Sequence, residues 1–176
     1  LGIAGLMGSG RTELLRAIFG ADPKSNGEIK IGANAYSTEI STPMYAVKNK
    51  IGLINEDRKL QGLLPELSIL QNISLASLSQ YAGKIGWLDS ARILLDVKKH
   101  TDNLFVDCTS EEQKVNELSG GNQQKLIIAR WLMMNCNILL FDEPTRGIDV
   151  KTKQVIYDLL DKVTSSGKAI VIVSSE

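Results

Sequence analysis

Cysteine, histidine, proline and aromatic residues are all scarce in this 176-residue chain: two Cys, one His, four Pro and 5% aromatics. Cys108 and Cys136 fall in no metal-ligand spacing, and two thiols make no disulfide framework, so a reduced compartment is expected. The one histidine, His100, reads as a solvated surface residue rather than a catalytic group. Charge of a dominant sign is also missing. Twenty basic and twenty acidic residues cancel, which excludes a general electrostatic pull toward nucleic acid or a membrane surface. No apolar run approaches the roughly 20 residues needed to cross a bilayer. There is no internal repeat and no low-complexity tract. The chain does have the length of one domain with a sizeable core.

Three short runs carry the chemistry. Gly5-Leu6-Met7-Gly8-Ser9-Gly10-Arg11-Thr12 is a glycine-rich loop between an apolar strand and a helix. Its backbone N–H groups can wrap a phosphate, Arg11 adds a cation and Thr12 a hydroxyl suited to Mg²⁺. Leu118-Ser119-Gly120-Gly121-Asn122-Gln123 opens a second helix, a geometry that turns unpaired N–H groups toward an anion. Ile138-Leu139-Leu140-Phe141-Asp142-Glu143 is a buried-strand pattern that ends in two adjacent carboxylates.

Between these runs the pattern alternates apolar strands with helices. Strands are expected at Leu1 to Gly5, Glu28 to Ile31, Ile51 to Ile54 and Ala169 to Val173, with a short element around Tyr36. Leu14, Leu15, Ile18 and Phe19 repeat at helical spacing, with Gly20 as the stop. Thr42-Pro43 marks a helix start. A helix from about Gly121 to Met134 places Leu126, Ala129, Leu132 and Met133 on one face. Val155, Ile156, Leu159, Leu160 and Val163 make residues 150–165 amphipathic. From about residue 65 to 115 strand alternation disappears, which reads as a mostly helical insertion. The expected fold is α/β: a parallel sheet covered by helices on both faces. Neither end looks like a natural terminus, since both lie at apolar strands, so a piece of a longer protein is expected.

The three runs, in this order, resemble the nucleotide motifs of an ATP-binding-cassette ATPase; the Leu-Ser-Gly-Gly run is its diagnostic signature. The resemblance implies a P-loop NTPase (RecA-like) parallel-sheet core with a small antiparallel β part. It implies one cassette over residues 1–176, with the core at 1–60 and 119–176 and a helical subdomain at about 65–118. ATP and Mg²⁺ are the implied cofactors. Gly5, Gly8, Ser9, Gly10, Arg11 and Thr12 would hold the phosphates. Thr12 and Asp142 would hold Mg²⁺, Asp142 through a water, and Glu143 would act as general base. Ser119, Gly120, Gly121 and Asn122 would contact the γ-phosphate held by a partner cassette, with Asp149 in the adjoining loop. Glu56 stands where the family places a Mg²⁺-touching Gln, and Ser175 where it places a switch His. Arg11 replaces the usual Lys, and Arg is not a conservative exchange for Lys.

The combined runs Gly-Arg-Thr-Glu-Leu, Glu56-Asp57-Arg58-Lys59, Leu-Ser-Gly-Gly-Asn-Gln-Gln-Lys, Asp-Glu-Pro-Thr-Arg-Gly-Ile-Asp-Val and Ser174-Ser175-Glu176 are similar to the second ATPase half of ribose/galactose-type monosaccharide importers. That likeness implies a fused N-terminal cassette, integral-membrane permease subunits and, indirectly, a periplasmic sugar-binding protein as partners. No nucleic-acid partner is expected. It also implies a peripheral place on the cytoplasmic face of the bacterial inner membrane, and slow turnover at the altered site. Two other readings stand beside it: a regulatory nucleotide-binding module without turnover, and a soluble cassette ATPase of DNA maintenance. The second is disfavoured by the short stretch between the first two motifs and by the lack of a basic stripe.

Overall fold

A computed structural model describes residues 1–6, 8–24, 26–32, 36–37, 39–83 and 86–175, without the side chains of residues 36, 37, 59 and 151. Met7 of the glycine loop and Glu176 of the last motif lie outside the described residues.

Four strands form a parallel sheet in the order β1 (Gly2–Ala4), β6 (Ala169–Ser174), β5 (Ile138–Asp142), β4 (Ile51–Ile54). Register pairs Ala4 with Ser174 and Asp142 with Val173. The glycine loop, the twin acids, Ser174 and the Asn55–Glu56 turn therefore all leave the sheet at its carboxyl edge, where open parallel sheets bind ligands. β4 and β5 are almost wholly buried, which explains their uninterrupted apolar letters. A separate two-stranded antiparallel sheet pairs β2 (Lys30–Ile31) with β3 (Tyr36–Ser37). The strand expected at Glu28 to Ile31 is thus only two residues long.

Helix α1 (Arg11–Phe19) starts at the glycine loop and is closed by Gly20 in the left-handed region, as its sequence indicates. Leu15 and Phe19 are buried, whereas Leu14 is 45% exposed, so the apolar stripe is narrower than its spacing suggests. Thr42 caps α2 (Pro43–Lys48) by accepting from the Tyr45 N–H.

The insertion contains α3 (Ile69–Ser74), a 3-10 helix at Leu75–Gln80, α4 (Ser90–Asn103) and a 3-10 turn at Val115–Glu117. α5 (Gly120–Met133) packs against α3, α4 and β4 together. It buries Gln123, Gln124, Ile127, Ile128 and Trp131 as well as Leu126, Ala129 and Met133, a far wider face than the single stripe expected. Trp131 is the joint: its indole would lie 2.8 Å from a Cβ on Gly52, and it meets Phe19 edge-to-face at 5.9 Å. Arg130 and Asn72 fasten α5 to α3. Arg130 donates to the carbonyls of Asn72 (2.8 Å) and Gly62 (2.7 Å), and the Asn72 side chain accepts from Leu64 N and Arg130 Nη2. Burial pulls the Arg130 pKa down to about 10, which still leaves it charged.

α6 (Val150–Ser165) is capped by Asp149 and buries Ile156, Leu160 and Val163, while Val155 is outside the core. His100 is half-buried in α4 rather than solvated. Burial, aided by Lys99, holds its imidazole pKa below the usual value. Cys136 is buried and its thiol is pushed up to about 11 by burial. Among the described residues no helix is long and apolar enough to cross a membrane.

Candidate functional site

The glycine loop is shaped by backbone that L side chains rarely adopt. Gly8 has φ +79° and Gly10 φ +86°, and Gly10 stands at the N-cap of α1. The loop is tied to the sheet by Gly5 N donating to Ser174 O (3.4 Å) and closed by Ser9 N donating to Leu6 O (3.1 Å). A Cβ on Gly5 would stand 2.8 Å from Ser9 Oγ, a hydroxyl that can rotate away. The first two side chains of α1 then reach the end of β5. Thr12 Oγ1 donates to Asp142 Oδ1 at 3.2 Å, and Arg11 Nη2 pairs with Glu143 Oε1 at 3.2 Å.

Both partners of that ion pair are almost closed off from solvent, with side chains 10% and 7% exposed. Arg11 Nη1 is buried with no hydrogen-bond partner among the described residues. A guanidinium nitrogen left unpaired beside a helix N-terminus is a vacancy in the hydrogen-bond pattern that an anion fills. Asp142 is 3% exposed. Burial raises its pKa, and Glu56 and Glu143 add to the rise, while the Thr12 hydroxyl and Arg11 oppose it. A nearby cation would relieve this strain on the ionised carboxylate. The residues present therefore fit a phosphate chain with a divalent cation.

Glu143 lies just past β5 with φ +46°, a left-handed conformation that costs a non-glycine residue about 1–3 kcal/mol. Its N–H donates to Val173 O (3.0 Å), and its Oε2 accepts from Ser174 Oγ (3.3 Å). The carboxylate is thus held from two sides, by Arg11 and by Ser174. The residue at the end of β6 that touches Glu143 is Ser174, whereas Ser175 is exposed. Ser175, which stands where the family places its switch His, is one position beyond the side chain that makes this contact.

Glu56, after β4, forms an ion pair with Arg146. The signature run stands apart from the phosphate loop in its contacts. Ser119 caps α5 by accepting from Asn122 N (3.4 Å). Gly120 faces the Arg58 guanidinium and Gly121 faces Thr152. The Asn122 side chain pairs with the Asp107 backbone, accepting from its N–H (3.1 Å) and donating to its carbonyl (3.3 Å). Asp149 accepts from the backbone N–H (3.0 Å) and hydroxyl (2.7 Å) of Thr152. Asn122 and Asp149 are therefore both engaged in local structure. Sequence reasoning missed Ser174, Arg146 and Thr152 as neighbours of the site. Only a basic letter among the acids, in Pro144-Thr145-Arg146, hinted at one of them.

The ABC transporter family profile matches residues 1–146. A protein of Halalkalibacterium halodurans named for ribose/galactose/methyl galactoside import as an ATP-binding protein is 48% identical over all 176 residues, which cover 33% of its own length. The ribose import ATP-binding protein of Clostridium tetani is 46% identical over the whole chain and 34% of its length. The chain thus spans about a third of the curated relatives it matches. Among solved structures, a dimeric ATP-binding cassette in a post-hydrolysis state bound to ADP and Pi superposes with a TM-score of 0.82 at 28% identity, covering 99% of this chain and 74% of that one. With the profile matched over residues 1–146 and nearly the whole chain superposing on a known cassette, this chain belongs to the ABC transporter family and has its P-loop NTPase fold.

Proposed function

We propose that the chain is an ATP-binding and ATP-hydrolysing cassette of a bacterial monosaccharide importer of the ribose/galactose type, with a phosphate site that turns over slowly. One observation carries the reading: Thr12 and Arg11, at the start of α1, meet Asp142 and Glu143, about 130 residues away, at 3.2 Å each. The loop amides of Gly8, Ser9 and Gly10, together with Arg11, would hold the phosphates. Thr12 and, through a water, Asp142 would hold Mg²⁺. Bound MgATP supplies the phosphoryl group and the cation that offsets its charge. Glu143 is placed to accept the proton of an attacking water. Its carboxylate must first part from Arg11, with which it forms an ion pair. Diverting one electrostatic group in this way costs on the order of 10²–10³ in rate.

The relatives' length supports a longer polypeptide, and the dimeric cassette structure supports pairing of two cassettes; the second would be N-terminal and paired head to tail. In that arrangement Ser119, Gly120 and Gly121 would complete the other cassette's site. The names of the relatives, import ATP-binding proteins, support a role in import; permease subunits and, indirectly, a sugar-binding protein would be its partners, at the cytoplasmic face of the inner membrane. The 65–118 segment beside Glu56 is the expected docking side for the permease.

The Arg11–Glu143 pair also favours a second reading, a nucleotide-binding module that does not hydrolyse. One experiment separates the two. In the full-length polypeptide with the other cassette's general base removed, this site should bind MgATP and hydrolyse it slowly, and Glu143→Gln should abolish the residual rate. Absence of MgATP binding rejects both readings. Fast turnover rejects the slow site, and a residual rate unchanged by Glu143→Gln favours the pure binding module.

A further inference from the structure

The turn at Glu56, the loop at 146–149 and the start of α5 come from three distant parts of the chain, and two arginines join them. Arg146 forms an ion pair with Glu56. Arg58 donates through Nη1 to the Arg146 carbonyl at 3.3 Å. Its other terminal nitrogen, Nη2, lies 3.3 Å from where a Cβ on Gly120 would stand and 3.9 Å from that of Gly147. On the opposite flank, a Cβ on Gly121 would come within 2.8 Å of the Thr152 methyl, and Thr152 is itself fixed by Asp149. The first turn of α5 is therefore held between a guanidinium and the start of α6.

We propose that Arg58 is a positioning residue that sets the orientation of the signature helix and ties it to Glu56 and Arg146 beside this chain's own phosphate site. α5 is a rigid rod of about 21 Å (1.5 Å per residue), so fixing its first turn fixes where its unpaired N–H groups point. A planar guanidinium can lie against the Cβ-less Gly120 and still donate to the Arg146 carbonyl. The compact ammonium of Lys cannot span both. Glu56 and Arg146 leave the same sheet edge as Asp142, so a change of charge at the phosphate site reaches the signature through this pair of arginines. The inference rests on the reading that the signature completes a second cassette's site.

The test uses the full-length polypeptide carrying Glu143→Gln, so that hydrolysis reports only on the other cassette. Arg58→Gln and Arg58→Lys are each added to it. Apo-state hydrogen exchange at the Asn122 and Gln123 amides, both bonded to Ser119, should quicken roughly tenfold in both variants, the equivalent of losing one charge-assisted hydrogen bond. The kcat of the other site should fall by a similar factor with KM unchanged, and MgATP affinity at this chain's own loop should stay within twofold, a change too small to register as a lost hydrogen bond. Unchanged exchange in Arg58→Gln overturns the proposal, and so does full rescue by Lys, which would leave charge alone as the cause. A large loss of affinity at the chain's own loop overturns it too, by placing Arg58 in that site. A wild-type protein that never hydrolyses ATP would sink the functional reading, yet the exchange measurement would still decide the role of Arg58.

Discussion

Gly8 and Gly10 of the phosphate loop sit at φ +79° and +86°, and no described non-neighbouring atom lies within 4 Å of where their Cβ atoms would be. Gly120 and Gly121 of the signature run lie in the first turn of α5, where any residue is conformationally at ease. There, however, a Cβ would press on Arg58 at 3.3 Å or on Thr152 at 2.8 Å. One loop uses glycine for conformation, the other for space. The phosphate loop is shaped by its own backbone before anything binds. The signature is shaped by its neighbours Arg58 and Thr152, so its geometry can be altered from outside the run.

The sharpest way to break this contrast is Gly121→Ala. Its methyl meets the Thr152 methyl, and overpacking of that kind costs about 1–3 kcal/mol. The melting temperature should fall by about 2–4 °C for each kcal/mol at this size. Adding Thr152→Ser removes the opposing methyl but keeps the hydroxyl bonded to Asp149, so it should restore most of the loss. A double mutant no better than Gly121→Ala would show that space is not the reason for glycine. Next in size is Gly10→Ala, expected to cost about 1–2 kcal/mol for the left-handed backbone. Gly10→Asn should recover part of that, because Asn tolerates this conformation and caps helices. Equal losses in Ala and Asn would argue for a contact instead.

The smallest effect concerns charge at the phosphate side. Asp142 is buried and its pKa is raised, so the folded state favours the neutral acid. Its ionised form is destabilising above the folded pKa, and stability returns as pH falls through that value. Asp142→Asn should therefore melt slightly higher than wild type without nucleotide at pH 7, and the gap should close on acidification. A gap that widens toward low pH would contradict the sign. No such dependence is expected from the uncharged glycines of the signature.

Local patterns made the strands, the caps and both loops legible in the sequence. Ile51 to Ile54 could be read because a four-residue apolar run between turn signals is short enough for a buried strand, and Thr42-Pro43 because capping is a neighbour effect. Long-range features were not legible. Leu14 and Val155 sit at apolar spacings, yet nothing in the spacing says which edge of a stripe will meet the sheet. The width of the buried face of α5 follows from its contact with α3, α4 and β4 at once, and Gln123 and Gln124 gave no sign of it. Similarly, the motif letters named Arg11 and Glu143 separately. That the two are paired, with Ser174 on the carboxylate's other oxygen, is a fact about strand order: β6 lies between β1 and β5 and brings its end between them.

The absence of a side chain at Gly52 has a practical consequence. It leaves a slot in the sheet that the Trp131 indole fills, 8% exposed and with its Nε1 unpaired among the described residues, whereas Trp87 is 82% exposed. The molecule's two tryptophans therefore sit in opposite surroundings, one dry and one wet. Once Trp87 is silenced by Phe, the colour of the remaining emission becomes a gauge of whether α5 is seated on the sheet, readable in real time and without any label.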